Sequence, residues 1–316
     1  FESSMCIVTN SLDSSNKFIG HRLGNIYVVD LNDLAMSSSP SLVAMNAKTK
    51  ESCLLWHRRL GHASMHTIAK LISKNLVRGM PKFKVDFDHV CDACQMGKQT
   101  KGSFKPKNMI STTRPLELLH MDLFGPTRTT SLGGMKYALV IVDDFSRYTW
   151  VLFIAHKDET FKVFKKFYKR VTNLKNLSII SIRSDHGTEF ENQYFDHFCT
   201  KHGIDHNFSA PRTPQQNGVV ERKNHTLEEI SRTMLCEGNL PKYFWVEAVN
   251  TACYILNRVL IRPIIRKIPY ELWINRKPNI NYFHIFGCKC FVLNNGKDNL
   301  GKFDTKSDEA VFSGYS

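Results

Sequence analysis

The sequence is short of acid. Across 316 residues, 29 Asp and Glu stand against 43 Lys and Arg, a net charge of +14 with a pI near 9.3. Such an excess of cation points to a polyanionic partner, because Lys and Arg set against phosphates release condensed counterions. No run of eighteen apolar residues occurs, which excludes a helical membrane span. Phe1–Asn10 is interrupted by Glu2, Ser3 and Ser4 and forms no secretory h-region. The first residue is Phe, as expected of a fragment or a processed product. Internal repeats and low-complexity tracts are absent as well. What remains is ordinary for a packed protein: 42% apolar and 23% charged residues, in a length that suits two or three domains of ~100–200 residues. The nine cysteines are scattered and odd in number. They fit a reducing compartment, in which a close pair is read as metal-binding and not as a disulfide.

Patterning divides the chain. Asn25–Asp30 reads as one strand and the Ser-rich stretch Met36–Ser41 as a loop or linker. Residues 53–77 carry helical spacing through Leu55, Leu60, Ile68, Leu71, Ile72 and Leu76. A basic boundary follows at Gly97–Arg114. Leu116–Leu123, Tyr137–Val142 and Thr149–Ala155 are apolar runs separated by turn chemistry at Gly133-Gly134 and Asp143–Arg147, which predicts an antiparallel meander. Helices are predicted over Asp158–Asn173, Gln193–His202, Gln216–Cys236 and Tyr243–Val259, and strands over Leu177–Ile182 and Ile204–Phe208. This order gives a mixed α/β layer architecture. Past Pro278, Tyr282–Phe286, Cys290–Leu293 and Ala310–Phe312 read as short strands of a small β domain.

Two constellations carry chemistry. His57 and His62 precede a C-x2-C pair, Cys91 and Cys94. Two imidazoles and two thiolates are the tetrahedral donor set that Zn2+ prefers, and one structural zinc would join two segments too small to bury much core alone. His66 and His89 are alternative ligands. Cys288 and Cys290 alternate across a strand and are poorly placed to share an ion. The second constellation is acidic. Asp122 ends the first predicted core strand, Asp185 the fourth, and Glu221 opens a helix, with 35 residues between Asp185 and Glu221. Hard divalent cations take oxygen ligands. Two such ions ~3.5–4 Å apart can activate the attacking oxygen and stabilise the leaving oxygen of an in-line phosphoryl displacement. Asp143 is a weaker alternative ligand; Asp144 reads as a turn residue paired with Arg147, and Glu189 as structural.

On these residues the sequence resembles the integrase segment of copia-type long-terminal-repeat retrotransposon polyproteins. His57, His62, Cys91 and Cys94 resemble its pre-integrase zinc module. Asp122, Asp185 and Glu221 match its D,D-35-E triad, and Thr213–Arg222 matches the block around the glutamate. The resemblance covers about residues 23 to 316. It implies a ribonuclease-H-like core with a mixed five-stranded sheet flanked by helices, a small helical zinc module before it and a partial SH3-like β domain after it. The domains expected are an N-terminal segment over 1–50, the zinc module over 51–98, a basic linker over 99–113, the catalytic core over 114–278 and the start of the β domain over 279–316. It also implies Mg2+ or Mn2+ at the triad, and trimming and joining of cDNA 3′-OH ends into target DNA. Such action belongs in the nucleus, preceded by a cytoplasmic particle. Cuts on two strands need two active sites, hence a homo-oligomer on double-stranded DNA.

Lys98, Lys101, Lys105, Gln216, Asn217, Arg222 and Lys223 are candidate DNA contacts, with the basic run Arg258–Lys267 beside them. One departure stands out: some retroviral relatives place lysines one and two turns after the glutamate, where this sequence has His225 and Glu228. The alternatives are a DDE transposase or ribonuclease H, against which the zinc module argues, and a non-catalytic DNA-binding relic.

Overall fold

A computed structural model describes residues 5–9, 17–23, 26–28, 52–85, 91–98, 111–209, 217–294 and 302–315. The chain divides into two compact units, Phe1–Ser52 and Cys53–Ser316. Met36–Ser41, His89, Lys101, Lys105 and Gln216 lie outside the described residues.

The first unit is an antiparallel sheet of β1 (Met5–Thr9), β2 (Lys17–Leu23) and β3 (Ile26–Val28) in that order, with Met5 opposite His21 and His21 opposite Val28. The sequence predicts one strand here, at β3. The added pair has a physical cause: Met5–Thr9 is apolar and β-branched, whereas Lys17–Leu23 carries a glycine, a histidine and two cations and becomes a strand by pairing, not by propensity.

The second unit is built on a five-stranded sheet ordered β6-β5-β4-β7-β8. Strands β4 (Leu118–Phe124), β5 (Tyr137–Asp143) and β6 (Thr149–Ile154) form the antiparallel meander, and β7 (Ser181–Ser184) and β8 (Asp205–Phe208) join in parallel. Strand β5, between β6 and β4, shows why both faces are covered. Leu139 and Ile141 pack with Phe164 and Phe167 of α4 (Thr160–Lys175) and with Phe195 and Phe198 of α5 (Gln193–His202). Val140 and Val142 point the other way. They pack with Val220 and Leu227 of α6 (Gly218–Glu237) and with Ala248, Ala252 and Leu256 of α7 (Trp245–Val259). A strand buried on both sides reads as a continuous apolar run, as Ala138–Val142 does.

The predicted helix over 53–77 is two helices. Residues 52–59 form α1, and α2 (Met65–Ser73) restarts at Ser64, whose hydroxyl accepts from Thr67 N at 3.2 Å. Between them Gly61 and His62 both take left-handed backbone, φ 60° and 59°, a conformation open to glycine and costly for histidine. Helix α3 (Asp92–Gly97) follows Cys91. The buried Trp56, Leu60, Ile68 and Leu71 belong to the same core cluster as Leu227, Ile230 and Ile255, so this segment and helices α6 and α7 share one interior. Past α8 (Pro269–Ile274), β9 (Lys289–Leu293) and β10 (Ser307–Val311) make an antiparallel hairpin. Tyr282–Phe286, predicted as a strand, is instead a turn-rich plug. Phe283 and Phe286 are buried under α7, and burial of rings at irregular spacing mimics strand alternation in sequence.

Candidate metal centres

The break at Gly61-His62 builds the first centre. In an unbroken helix residues five apart diverge around the axis; the left-handed pair turns His62 back onto His57, whose rings meet edge to face at 4.8 Å. One nitrogen from each histidine and the sulfurs of Cys91 and Cys94 lie within 4.8 Å of one another, the only group of this kind among the described residues. His57 Nε2 is 3.1 Å from His62 Nδ1 and 3.3 Å from Cys94 Sγ, and Cys91 Sγ is 3.4 Å from His62 Nδ1. Ligands of a tetrahedral zinc stand about 3.3–3.8 Å apart. The other ring nitrogens are committed elsewhere. His57 Nδ1 faces the Ala63 carbonyl at 2.8 Å, and His62 Nε2 faces Glu237 Oε2 at 2.7 Å. Those bonds fix the tautomers that turn a lone pair toward the shared centre. Burial pushes the Cys94 thiol up to about 12, so that sulfur needs a cation beside it to be a thiolate at neutral pH. The residues therefore fit zinc. His66 is exposed on α2 and outside the group.

The second centre lies at the opposite end of α6. β4 and β7 run parallel with His120 opposite Arg183. Continuing that register brings Asp122, which lies inside β4 two residues before its end and does not end the strand as expected, level with Asp185, the residue after β7. Glu221 sits in the first turn of α6. Burial, then the charge of Asp185, raises the Asp122 carboxyl to about 6, with smaller contributions from Glu221 and Glu189. Burial likewise raises Glu221. Three acids placed in each other's fields, with Asp122 and Glu221 partly desolvated, suit a divalent cation held by oxygen. They are not drawn within ligand-sharing distance as the zinc group is.

Residues beyond the triad complete this centre, of which the sequence reading names Glu189 alone, as structural. Asn224, one turn after Glu221, donates from Nδ2 to Asp122 Oδ2 at 2.7 Å. Gly187 N donates to Asp185 Oδ1 at 3.1 Å, and a Cβ at Gly187 would lie 2.8 Å from the Glu189 carboxyl carbon. Glu189 is held by Lys157 at 3.0 Å. The i+3 spacing of Asn224 was a usable signal, as was the position of Glu189 four residues after Asp185; Lys157 and Gly187 had none. Asp143 is buried and structural. Its Oδ1 accepts from Leu116 N and its Oδ2 from Ser146 N and Oγ. Asp144 does pair with Arg147, at 3.1 Å, and also with His120 at 2.9 Å.

The candidate DNA contacts separate. Arg222 is exposed beside Glu221. Lys223 is buried: it falls on the stripe Val220, Lys223, Asn224, Leu227, Ile230, Ser231 and Met234 that α6 turns inward, and desolvation lowers it to about 8. Asn217 is also buried, with Nδ2 turned toward the Met121 carbonyl at 3.5 Å. Lys98 donates to the His62 carbonyl at 2.6 Å and belongs to the zinc centre.

Comparison with known proteins divides the chain in two blocks. The GAG-pre-integrase domain family matches residues 25–99 and the integrase core domain family residues 112–214. The chain is 38% identical over 272 residues to the retrovirus-related Pol polyprotein from transposon TNT 1-94 of Nicotiana tabacum, covering 86% of this chain and 20% of that protein. It is 30% identical over 283 residues to the corresponding polyprotein from transposon RE1 of Arabidopsis thaliana, covering 89% and 19%. The chain thus spans about a fifth of the length of these curated relatives. Among solved structures it is similar to a chain of the simian T-cell lymphotropic virus intasome in complex with PP2A regulatory subunit B56 gamma, with TM-score 0.44 and 20% identity over 58% of this chain and 63% of that one. It is also similar to the HTLV-2 integrase catalytic core domain in complex with magnesium, with TM-score 0.39 and 22% identity over 50% and 97%.

Proposed function

The chain belongs to the integrase segment of the copia-type retrovirus-related Pol polyproteins, and on that premise we propose that it is a metal-dependent polynucleotidyl transferase that trims and joins cDNA 3′-OH ends into target DNA. The observation that carries the reading is the meeting of Asp122, Asp185 and Glu221 in one field, from two neighbouring parallel strands and a helix start. Asp122, Asp185 and Glu221 would hold Mg2+ or Mn2+. Two such ions supply Lewis-acid activation of the attacking oxygen and charge neutralisation at the leaving oxygen.

The chain's own residues prepare that site. Asn224 and the Leu123 N–H fix both oxygens of Asp122, at 2.7 and 3.0 Å. Lys157 keeps Glu189 engaged at the edge of the acid group. Exposed Arg222 sits where a phosphate backbone approaching Glu221 would meet a cation. The partner is double-stranded DNA, both donor ends and target. Paired cuts call for a homo-oligomer, and chromosomal target DNA places the reaction in the nucleus, after assembly in a cytoplasmic particle. The domain limits proposed are those of the sequence reading, with the zinc module over 51–98 seated on the core over 114–278.

The test is strand transfer with a labelled duplex bearing the element's terminal sequence, in Mg2+ or Mn2+, for the wild type and Asp185→Asn. Joined products that vanish in the variant are expected. DNA binding without product in the wild type would favour a non-catalytic relic.

A further inference from the structure

Helix α6 serves both centres. Glu221 occupies its first turn and Glu237 is its last residue. Sixteen residues at 1.5 Å each separate them by about 24 Å. Glu237 has no place in the triad, yet its side chain is only 11% exposed and both its oxygens are engaged by the histidine segment. Oε2 meets His62 Nε2 at 2.7 Å, and Oε1 accepts from Arg58. Around that contact the same helix face is fitted to the segment. Arg232 donates to the Gly97 carbonyl at 3.1 Å, and a Cβ on Gly97 would come within 2.3 Å of Thr233 Oγ1 and 3.1 Å of its Cα. On the other side, a Cβ on Gly61 would sit 3.1 Å from Ile230. Two glycines therefore let backbone lie flush on α6, and a carboxylate from α6 reaches the far nitrogen of a histidine.

From this juxtaposition we propose that Glu237 is the outer-sphere carboxylate of the zinc centre, and that metal occupancy there fixes the carboxyl-terminal end of the helix whose first turn carries Glu221. Glu237 acts through His62 and is a positioning residue. Its hydrogen bond holds the imidazole proton on Nε2, orients the ring and makes Nδ1 a better donor; loss of such a partner costs 10–100-fold in metal affinity. Arg58 keeps the carboxylate aimed while it does so. The inference rests on the reading of His57, His62, Cys91 and Cys94 as zinc ligands.

The test uses the full chain. Zinc affinity is measured by competition with a chromogenic chelator for the wild type, Glu237→Gln, Glu237→Leu and, as a comparator with the same charge change in mid-helix, Glu228→Gln. Visible spectra of the Co2+-loaded proteins and amide hydrogen exchange with and without zinc accompany it. Expected are one zinc per wild-type chain and a 10–100-fold loss of affinity for Glu237→Leu. The near-isosteric Glu237→Gln, which keeps an acceptor without the charge, should fall between them. Its Co2+ d–d bands should shift, and Glu228→Gln should behave as wild type. Chelation should speed exchange in the last two turns of α6 in the wild type. Wild-type affinity and an unaltered Co2+ spectrum in Glu237→Gln, together with wild-type affinity in Glu237→Leu, would overturn the inference while leaving the zinc site standing. A wild-type chain that holds no zinc would overturn both.

Discussion

At the His-His-Cys-Cys centre four ligand atoms lie within 4.8 Å of one another, and each histidine has its second nitrogen held by a named acceptor. At the acidic centre the three carboxylates sense each other but stand further apart, and burial with mutual repulsion lifts Asp122 to about 6. Mostly neutral donors can be packed into a buried cluster at small electrostatic cost, whereas gathered anions cannot. The first centre is therefore preorganised and suited to a permanent structural ion. The second keeps its charge unpaid and suits ions that come with a phosphate substrate.

The contrast can be broken in graded ways. The largest effect is expected from Cys91→Ser. A structural zinc contributes about 10–16 kcal/mol to the folding of small modules, and here the histidine segment shares its core with α6 and α7. Zinc content should fall from one per chain toward zero, and the thermal transition of the whole second unit should drop; an unaltered transition would separate the segment from the core. Next is Asp185→Asn, which should cut strand transfer by ~10³-fold, or about 4 kcal/mol, with the melting temperature nearly unchanged. A similar loss of fold would mean that the acid is structural.

Lys223→Met should go the other way and stabilise. The folded lysine sits at about 8 against an ordinary 10.5 because burial disfavours its charge. The penalty is complete below pH 8 and disappears as pH rises from there past 10.5. Removing it should gain about 3 kcal/mol at pH 7, with DNA affinity unmoved. A loss of DNA affinity would restore the surface reading of this residue. Asp122→Asn should stabilise the metal-free protein by about 2–3 kcal/mol at pH 7. Here the folded pKa is raised, so the wild type has the group's full stabilisation below pH 4 and loses it as pH rises through about 6; denaturant titrations at pH 5 and 7 read the difference. The smallest effect is expected at Arg222→Ala. A severalfold weaker DNA affinity and a salt slope shallower by about 1 would mark one phosphate contact.

Much of this was legible because the chemistry needs fixed residue types. Cys91-x2-Cys94 with two histidines, and Asp185 and Glu221 with 35 residues between, announce their donors in linear sequence. The sheet was legible through turns such as Gly133-Gly134 and the double-sided run of β5. Lys223 shows a signal passed over: read at helical period with Val220, Leu227 and Met234, it belongs to the buried stripe, and Arg222 to the outside. The break at Gly61-His62 was less accessible, since the apolar spacing on either side continues in phase. Glu237 could not be read at all. Nothing local distinguishes it from Glu228 or Glu229, and only the fold brings it to His62.

That contact bridges 175 positions along the chain. During synthesis at about 5–20 residues per second, both histidines and both cysteines are made before the carboxylate, the last of them by roughly 7–29 s. On the zinc reading, a nascent chain would meet its ion with the four ligands alone, and the Glu237 contact could form only when the last turn of α6 arrives. If Glu237 plays the part proposed for it, the order of translation would separate a loading stage from a locking stage.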